Sequence, residues 1–287
     1  MLKLISKEKE LGLFNRISNY RNDFRNWPVV ALRSNLNMFP FDVILKTGSR
    51  ERIENWRDLI KIKLKSRFGA TLEGDFIKFY FQGKELKFNW ENGKNGDLAA
   101  TFIDEDYRIL DFASRDVVDV GANIGDTAIY FSLLGSKRVI ALEPFFHTFK
   151  LASENIRLNQ LENIELLNAG LSNNDGFITL DREIIGNIGS RLVESEKGEP
   201  TELLSLETLM ERYNLAEPVI KMDCEGCEYK ALLNTPNDVI ASFKQIMVEF
   251  HNGYRNIEAK LKSAGFEVVH TKDPIQGLLL GNNTNFT

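Results

Sequence analysis

Val117-Val118-Asp119-Val120-Gly121-Ala122-Asn123-Ile124-Gly125-Asp126 joins a β-branched run to a turn held between two glycines and then to the start of an apolar helix. Valine at three of the first four positions favours a strand, and Gly121 closes it with a tight turn. Helical spacing follows over 126–134. Working outward, the same alternation recurs: strand 139–142, helix 146–158, strand 164–168, then helix 206–213, strand 219–222, a helix from Glu228, strand 246–250, helix 257–264 and strand 267–270. Strands alternating with helices predict a mainly parallel sheet covered on both faces, a doubly wound α/β fold.

In such a sheet, ligands bind at the carboxyl ends of the strands near the point where strand order reverses. The turn after 117–120 departs from the dinucleotide pattern G-x-G-x-x-G: its second glycine is missing, and an acid, Asp119, stands inside the strand. Gly121 allows close backbone approach, and Gly125 opens the helix without a Cβ in the way. A dinucleotide brings a pyrophosphate, whereas S-adenosylmethionine brings a zwitterionic tail whose ammonium needs an acceptor such as Asp119, directly or through water. At the end of the next strand, Glu143-Pro144 supplies a carboxylate for both ribose hydroxyls of an adenosine. Asn168, ending the third strand, offers an amide to the adenine edge. Three such groups on successive strand ends predict an adenosine-cofactor site.

Asp119 to Thr127, Glu143-Pro144 with Phe149 and Asn155, Leu171-Ser172-Asn173, and Lys221-Met222-Asp223-Cys224-Glu225-Gly226-Cys227-Glu228 resemble the FkbM family of S-adenosylmethionine-dependent methyltransferases. The family's D-x-G-A-N-x-G and K-x-D-x-E-G-x-E blocks occur in order, and the resemblance runs from about Gly96 to about Phe266. It implies a Rossmann-like, seven-stranded methyltransferase core, methyl transfer from S-adenosylmethionine, and cofactor contacts from Asp119, Gly121, Asn123, Gly125, Glu143 and Asn168. It also places an aromatic just before the first core strand, making Tyr107 a further cofactor contact. A sugar hydroxyl on a glycan, glycolipid or secondary metabolite is the implied acceptor.

The end of the fourth core strand bears on which atom is methylated. Amine methyltransferases commonly show an Asn/Asp-Pro-Pro-aromatic turn there, and cytosine-C5 enzymes a Pro-Cys nucleophile; this chain has neither. It places Asp223, Glu225 and Glu228 within six residues, and carboxylates remove the proton of a hydroxyl or hold a metal that lowers its pKa. Asp223 is the first expected catalytic group and Glu225 the second. Glu228 has an alternative role as a helix cap. Glu249 and His251, ending the next strand, add a carboxylate and one of only three histidines. His251 has the ordinary pKa of a general base, although an outward, solvated Glu249–His251 pair is the competing reading. By analogy with catechol-type methyltransferases, Asp223, Glu249 and His251 also suggest Mg²⁺, without assigning it as a resident metal. Cys224 and Cys227 form a lone C-x-x-C, half a zinc site at most; the plain expectation is two small buried residues at a turn, with a disulfide as the alternative.

The chain has 287 residues, 43% hydrophobic and 27% charged, a balance that excludes disordered and fibrous classes. Its net charge of −5 conceals a division. Residues 1–67 carry 15 Lys and Arg against 7 Asp and Glu, leaving 21 against 34 for the rest. Two parts are therefore expected: an N-terminal α+β extension over 1–95 for acceptor recognition, and the methyltransferase domain over 96–287. Apolar residues from Leu11 to Trp27 are spaced for a helix that Pro28 should stop. Residues 59–68 alternate apolar residues with Lys61, Lys63 and Lys65, predicting a strand with a lysine face. Residues 76–81 and 86–90 flank Gln82-Gly83-Lys84-Glu85 as a hairpin with Gly at the turn. The basic part suits an anionic glycan or peripheral contact with a membrane surface. RNA methylation is the alternative function, although the acidic catalytic half and the lack of an RNA-binding module speak against nucleic acid. With no signal peptide and no transmembrane run, a cytoplasmic protein is expected.

Overall fold

The computed structural model describes residues 19–90, 98–181, 192–196 and 198–286. The chain divides into two compact units, Lys9–Arg108 and Ile109–Thr287. The expected boundary at 95/96 and most of the helix expected over Leu11 to Trp27 lie outside the described residues. Among the described residues no helix is long and apolar enough to cross a membrane.

In the N-terminal unit, helix α1 (Trp27–Asn35) precedes a hairpin of β1 (Phe41–Ile44) and β2 (Arg50–Ile53). Helix α2 (Trp56–Phe68) follows, then an antiparallel sheet of β3 (Thr71–Glu73), β4 (Phe76–Phe81) and β5 (Lys84–Asn89), and a π-helical turn at Ala99–Asp104. Tyr20, Phe24, Val30, Phe41, Val43, Ile53, Leu59 and Ile62 form one buried cluster of this unit. The hairpin over β4 and β5 forms as expected, with Gln82 and Gly83 both at positive φ in its two-residue turn.

Two expectations for this unit need correction. Pro28 starts a helix instead of stopping one, because a first-turn residue has no intrahelical acceptor for an N–H and loses nothing by lacking it. The stretch expected as a lysine-faced strand is α2. Asn55 caps it by accepting the Asp58 N–H at 3.1 Å, and Gly69 ends it in the left-handed conformation. The helix buries Leu59, Ile60, Ile62, Lys63 and Leu64. Lys63 disguised the helical period: its ammonium is buried 3.7 Å from Asp104 and over the Tyr20 ring. The supposed row of three solvated lysines therefore does not exist.

The C-terminal unit is built on a seven-stranded sheet. In chain order its elements are β6 (Asp116–Val120), α3 (Asp126–Leu133), β7 (Arg138–Leu142), α4 (Phe146–Leu158) and β8 (Ile164–Leu167). There follow β9 (Ala169–Leu171), β10 (Gly176–Leu180), β11 (Glu199–Leu204), α5 (Leu206–Arg212), β12 (Val219–Met222), α6 (Cys227–Asn234) and α7 (Asn237–Ile240). The last elements are β13 (Gln245–Phe250), α8 (Arg255–Ser263), β14 (Phe266–His270) and β15 (Gly277–Asn283). Spatial order in the large sheet is β14-β15-β13-β12-β6-β7-β8, with β15 antiparallel to both neighbours and the other pairings parallel. Strands β6 and β12 are buried along their whole length, as strands covered on both faces must be. The doubly wound, Rossmann-like fold is as expected. The individual strand predictions missed β15, whose Gly-Leu-Leu-Leu-Gly-Asn-Asn lacks β-branched residues, and the small sheet β10-β11-β9.

Candidate active site

The chain runs outward from β6 through β7 to β8, then returns to β12 and β13 on the other side. The order therefore reverses between β6 and β12, and the two strands' carboxyl ends define the crevice. Asp223 donates its N–H to Val120 O at 3.1 Å there. A Cβ on Gly121 would come within 1.9 Å of the Asp223 carbonyl, so this glycine is required by the approach of two strand ends as well as by its φ of +76°. Gly125 serves packing: its absent Cβ would meet Ala152 of α4 at 3.3 Å. Between them Asn123 takes a positive φ of 47°, which asparagine tolerates. Asn155 of α4 secures the turn by donating to Ile124 O at 2.8 Å.

Asp119 is fully buried. One oxygen accepts from Thr127 Oγ1 at 2.5 Å and the other faces Lys221 Nζ at 3.1 Å. Lys221 is its direct neighbour across the β6–β12 pairing and also donates to Gly121 O at 2.9 Å. Burial works against the ammonium, but Asp119 and Asp223 outweigh it and hold Lys221 above the ordinary lysine range. Lys221 is the group that sequence reasoning missed. The available signal was a cation inside the otherwise apolar strand Val219–Met222.

At the end of β7, Glu143 accepts the N–H groups of Asn123 and Phe145, each at 3.0 Å. Burial pushes its carboxyl up to about 8, against the pull of those two N–H groups and of Lys221. Each oxygen keeps a lone pair beyond the bond it accepts. Asn168 gives both amide hydrogens to the Glu143 and Pro144 carbonyls, at 3.0 and 2.9 Å, so it clamps the strand end and retains only its oxygen for other partners.

The carboxyl ends of β12 and β13 hold the densest charge. His251 Nδ1 lies 3.3 Å from the buried Glu228, and Nε2 lies 3.4 Å from Glu225 and 3.9 Å from Glu249. One ligand atom each from Asp223, Glu225 and His251 falls within 4.8 Å of the others. The hydrogen bond to Glu228 raises His251 to about 9 despite its burial, with Glu225, Glu249 and Asp223 adding to the effect. These partners favour the imidazolium form of His251 at neutral pH, above the ordinary pKa on which the general-base expectation rests. Its ring faces inward, not to solvent. Glu228 accepts the Gly226 N–H beside the helix start, in line with the capping alternative, and also holds His251, a contact the sequence did not suggest.

Cys224 and Cys227 form a disulfide across this turn, the alternative to the free buried pair that was expected. Cys224 Sγ lies 3.1 Å from Glu228 Oε2, but a disulfide sulfur carries no proton and makes only a packing contact there. Tyr229 OH donates to Gly253 O and accepts the Asn252 N–H, both at 2.8 Å, tying the loop after β13 to α6. Among the predicted site residues, Asp119, Gly121, Asn123, Gly125, Glu143 and Asn168 are brought together along β6, β7 and β8, and Asp223, Glu225 and His251 beside them at β12 and β13. Tyr107 is buried within the N-terminal unit.

The methyltransferase FkbM domain matches residues 119–268, just over half of the chain and the carboxyl end of each strand that forms this crevice. The chain belongs to the FkbM methyltransferase family. It is an S-adenosylmethionine-dependent methyltransferase. Among solved structures, the FkbM chain is similar to M. jannaschii TYW2 in complex with AdoMet, at 15% identity over 74% of this chain and 87% of that one, with a TM-score of 0.41. It is also similar to Aeropyrum pernix fibrillarin with natively bound S-adenosyl-L-methionine, at 16% identity over 84% and 93% of the two chains, with a TM-score of 0.39. No curated protein matches it in sequence.

Proposed function

We propose that the enzyme methylates a hydroxyl oxygen, on a sugar of a glycan, glycolipid or secondary metabolite, within the crevice at the ends of β6, β7, β12 and β13. The observation that carries the oxygen assignment is the set of carboxylates Asp223, Glu225 and Glu249 gathered about a protonated His251. S-adenosylmethionine supplies a methyl group made electrophilic by its sulfonium. Glu143 would hold the ribose hydroxyls through the lone pairs it does not give to Asn123 and Phe145. The buried Asp119–Lys221 pair keeps the glycine turn in the shape that admits the methionine tail; Asp119 contributes through that pair instead of presenting a free acceptor.

Asp223 is the assigned base. The acceptor oxygen forms a bond to the methyl carbon as the carbon–sulfur bond breaks, the electron pair stays on sulfur, and the hydroxyl proton passes to Asp223. His251 offsets the negative charge of the carboxylates and fixes their directions. In this mechanism the positive charge among the carboxylates is the imidazolium of His251, and Mg²⁺ is assigned no role. Burial of Lys63 removes one of the three lysines from the face that favoured an RNA acceptor.

The test is transfer of labelled methyl from S-adenosylmethionine to a panel of sugars and glycolipids, with Asp223→Asn alongside. A methyl ether product is expected, with kcat lower by about 10²- to 10⁴-fold in the variant and cofactor affinity unchanged. An equally active variant, or a methylated amine or RNA as the product, would overturn the assignment.

A further inference from the structure

The N-terminal unit carries an apolar stripe that its own core leaves uncovered. In α1, Val30 and Ser34 face inward. Val29 and Leu32 stand on the outer side, and Leu36 and Met38 continue the stripe past the helix end. Leu32 is 61% exposed and Leu36 59%. Phe39, next in the chain, meets the half-exposed Trp56 edge-on at 5.5 Å. Single exposed apolar side chains need no explanation, but four within residues 29–38, with Trp56 beside them, form a patch of the kind that docks against a partner.

Charge decides what docks there. Over residues 21–41 the charges reaching solvent are Arg21, Arg25 and Arg33. The one acid of that stretch, Asp23, is buried and bound by Arg67 at 2.8 Å. Arg33 lies four positions after Val29 and three before Leu36, so it shares their face of the helix. A twofold contact between two copies through α1 would set Arg33 near Arg33, and residues 21–41 bring no solvent-facing acid to answer it. A bilayer bearing anionic headgroups answers both features, with hydrocarbon for the apolar side chains and phosphate for the arginines. We propose that Val29, Leu32, Leu36, Met38 and Trp56 form a peripheral docking surface for an anionic lipid bilayer, with α1 lying in the membrane plane. At nine residues the helix is far too short to span it.

The test is co-sedimentation of the full chain with vesicles of phosphatidylcholine alone and of phosphatidylcholine containing phosphatidylglycerol. Binding to the anionic vesicles is expected, weakening as salt is raised. The double variant Leu32→Glu, Leu36→Glu should partition about tenfold less or worse, with an unchanged melting temperature because both side chains are exposed. Absence of binding to the anionic vesicles at low salt, or equal binding by the variant, would overturn the proposal. So would a dimer in light scattering that the variant dissociates, since the occupant would then be a second copy of the chain.

Discussion

Lys221 and Asp119 stand side by side on neighbouring parallel strands, both out of reach of water. A buried ion pair is weak evidence for stability as a pair, yet removing one member strands the other's charge. Lys221→Met should therefore cost about 3–5 kcal/mol in urea denaturation, and adding Asp119→Asn should recover part of the loss. Recovery of nothing would mean that the two do not act together. His251 makes a separate claim on pH. Its folded pKa of about 9 lies above its ordinary 6.5, so its ion pairs stabilise the fold fully below pH 6.5 and are lost as pH rises through 9. The wild-type melting temperature should fall across that window, and His251→Gln should flatten the fall.

The elements at the site are turns that tolerate little change. Gly121 combines a positive φ with a backbone carbonyl where its Cβ would be, so Gly121→Ala should cost at least about 3 kcal/mol or prevent soluble expression. Gly125→Ala, whose Cβ would press on Ala152 at 3.3 Å, should cost less than Gly121→Ala, though its own positive φ of 83° adds strain. The β12–α6 turn holds Glu225 at φ 56° and Gly226 at φ 121° inside the Cys224–Cys227 loop. A loop this short removes little unfolded-state entropy, so the Cys224→Ser, Cys227→Ser variant should lose about 2 kcal/mol or less in denaturant. A much larger loss would show that the disulfide also supports the carboxylate cluster. Element identity was legible wherever hydrophobic period and length agreed, as in α4 and β12. It failed at α2, where a buried lysine paired with Asp104 imitated a polar position and turned a period near 3.6 into an apparent period of two.

At the scale of the whole molecule, the proposed mechanism makes the imidazolium of His251, and not a metal ion, the positive charge among the carboxylates. Chelator treatment should therefore leave methyl transfer unchanged, and loss of turnover that Mg²⁺ restores would refute that assignment. The sequence by itself determined the doubly wound α/β architecture, the glycine turn after the first core strand and the methyltransferase family, because these follow from local periodicity and contiguous motifs. Tertiary structure alone decided the partners: Lys221 meets Gly121 across 100 positions, Glu228 meets His251 across 23, and Lys63 meets Asp104. Protonation, burial and charge compensation depend on which distant groups come within a few ångströms, and no spacing along the chain encodes that distance.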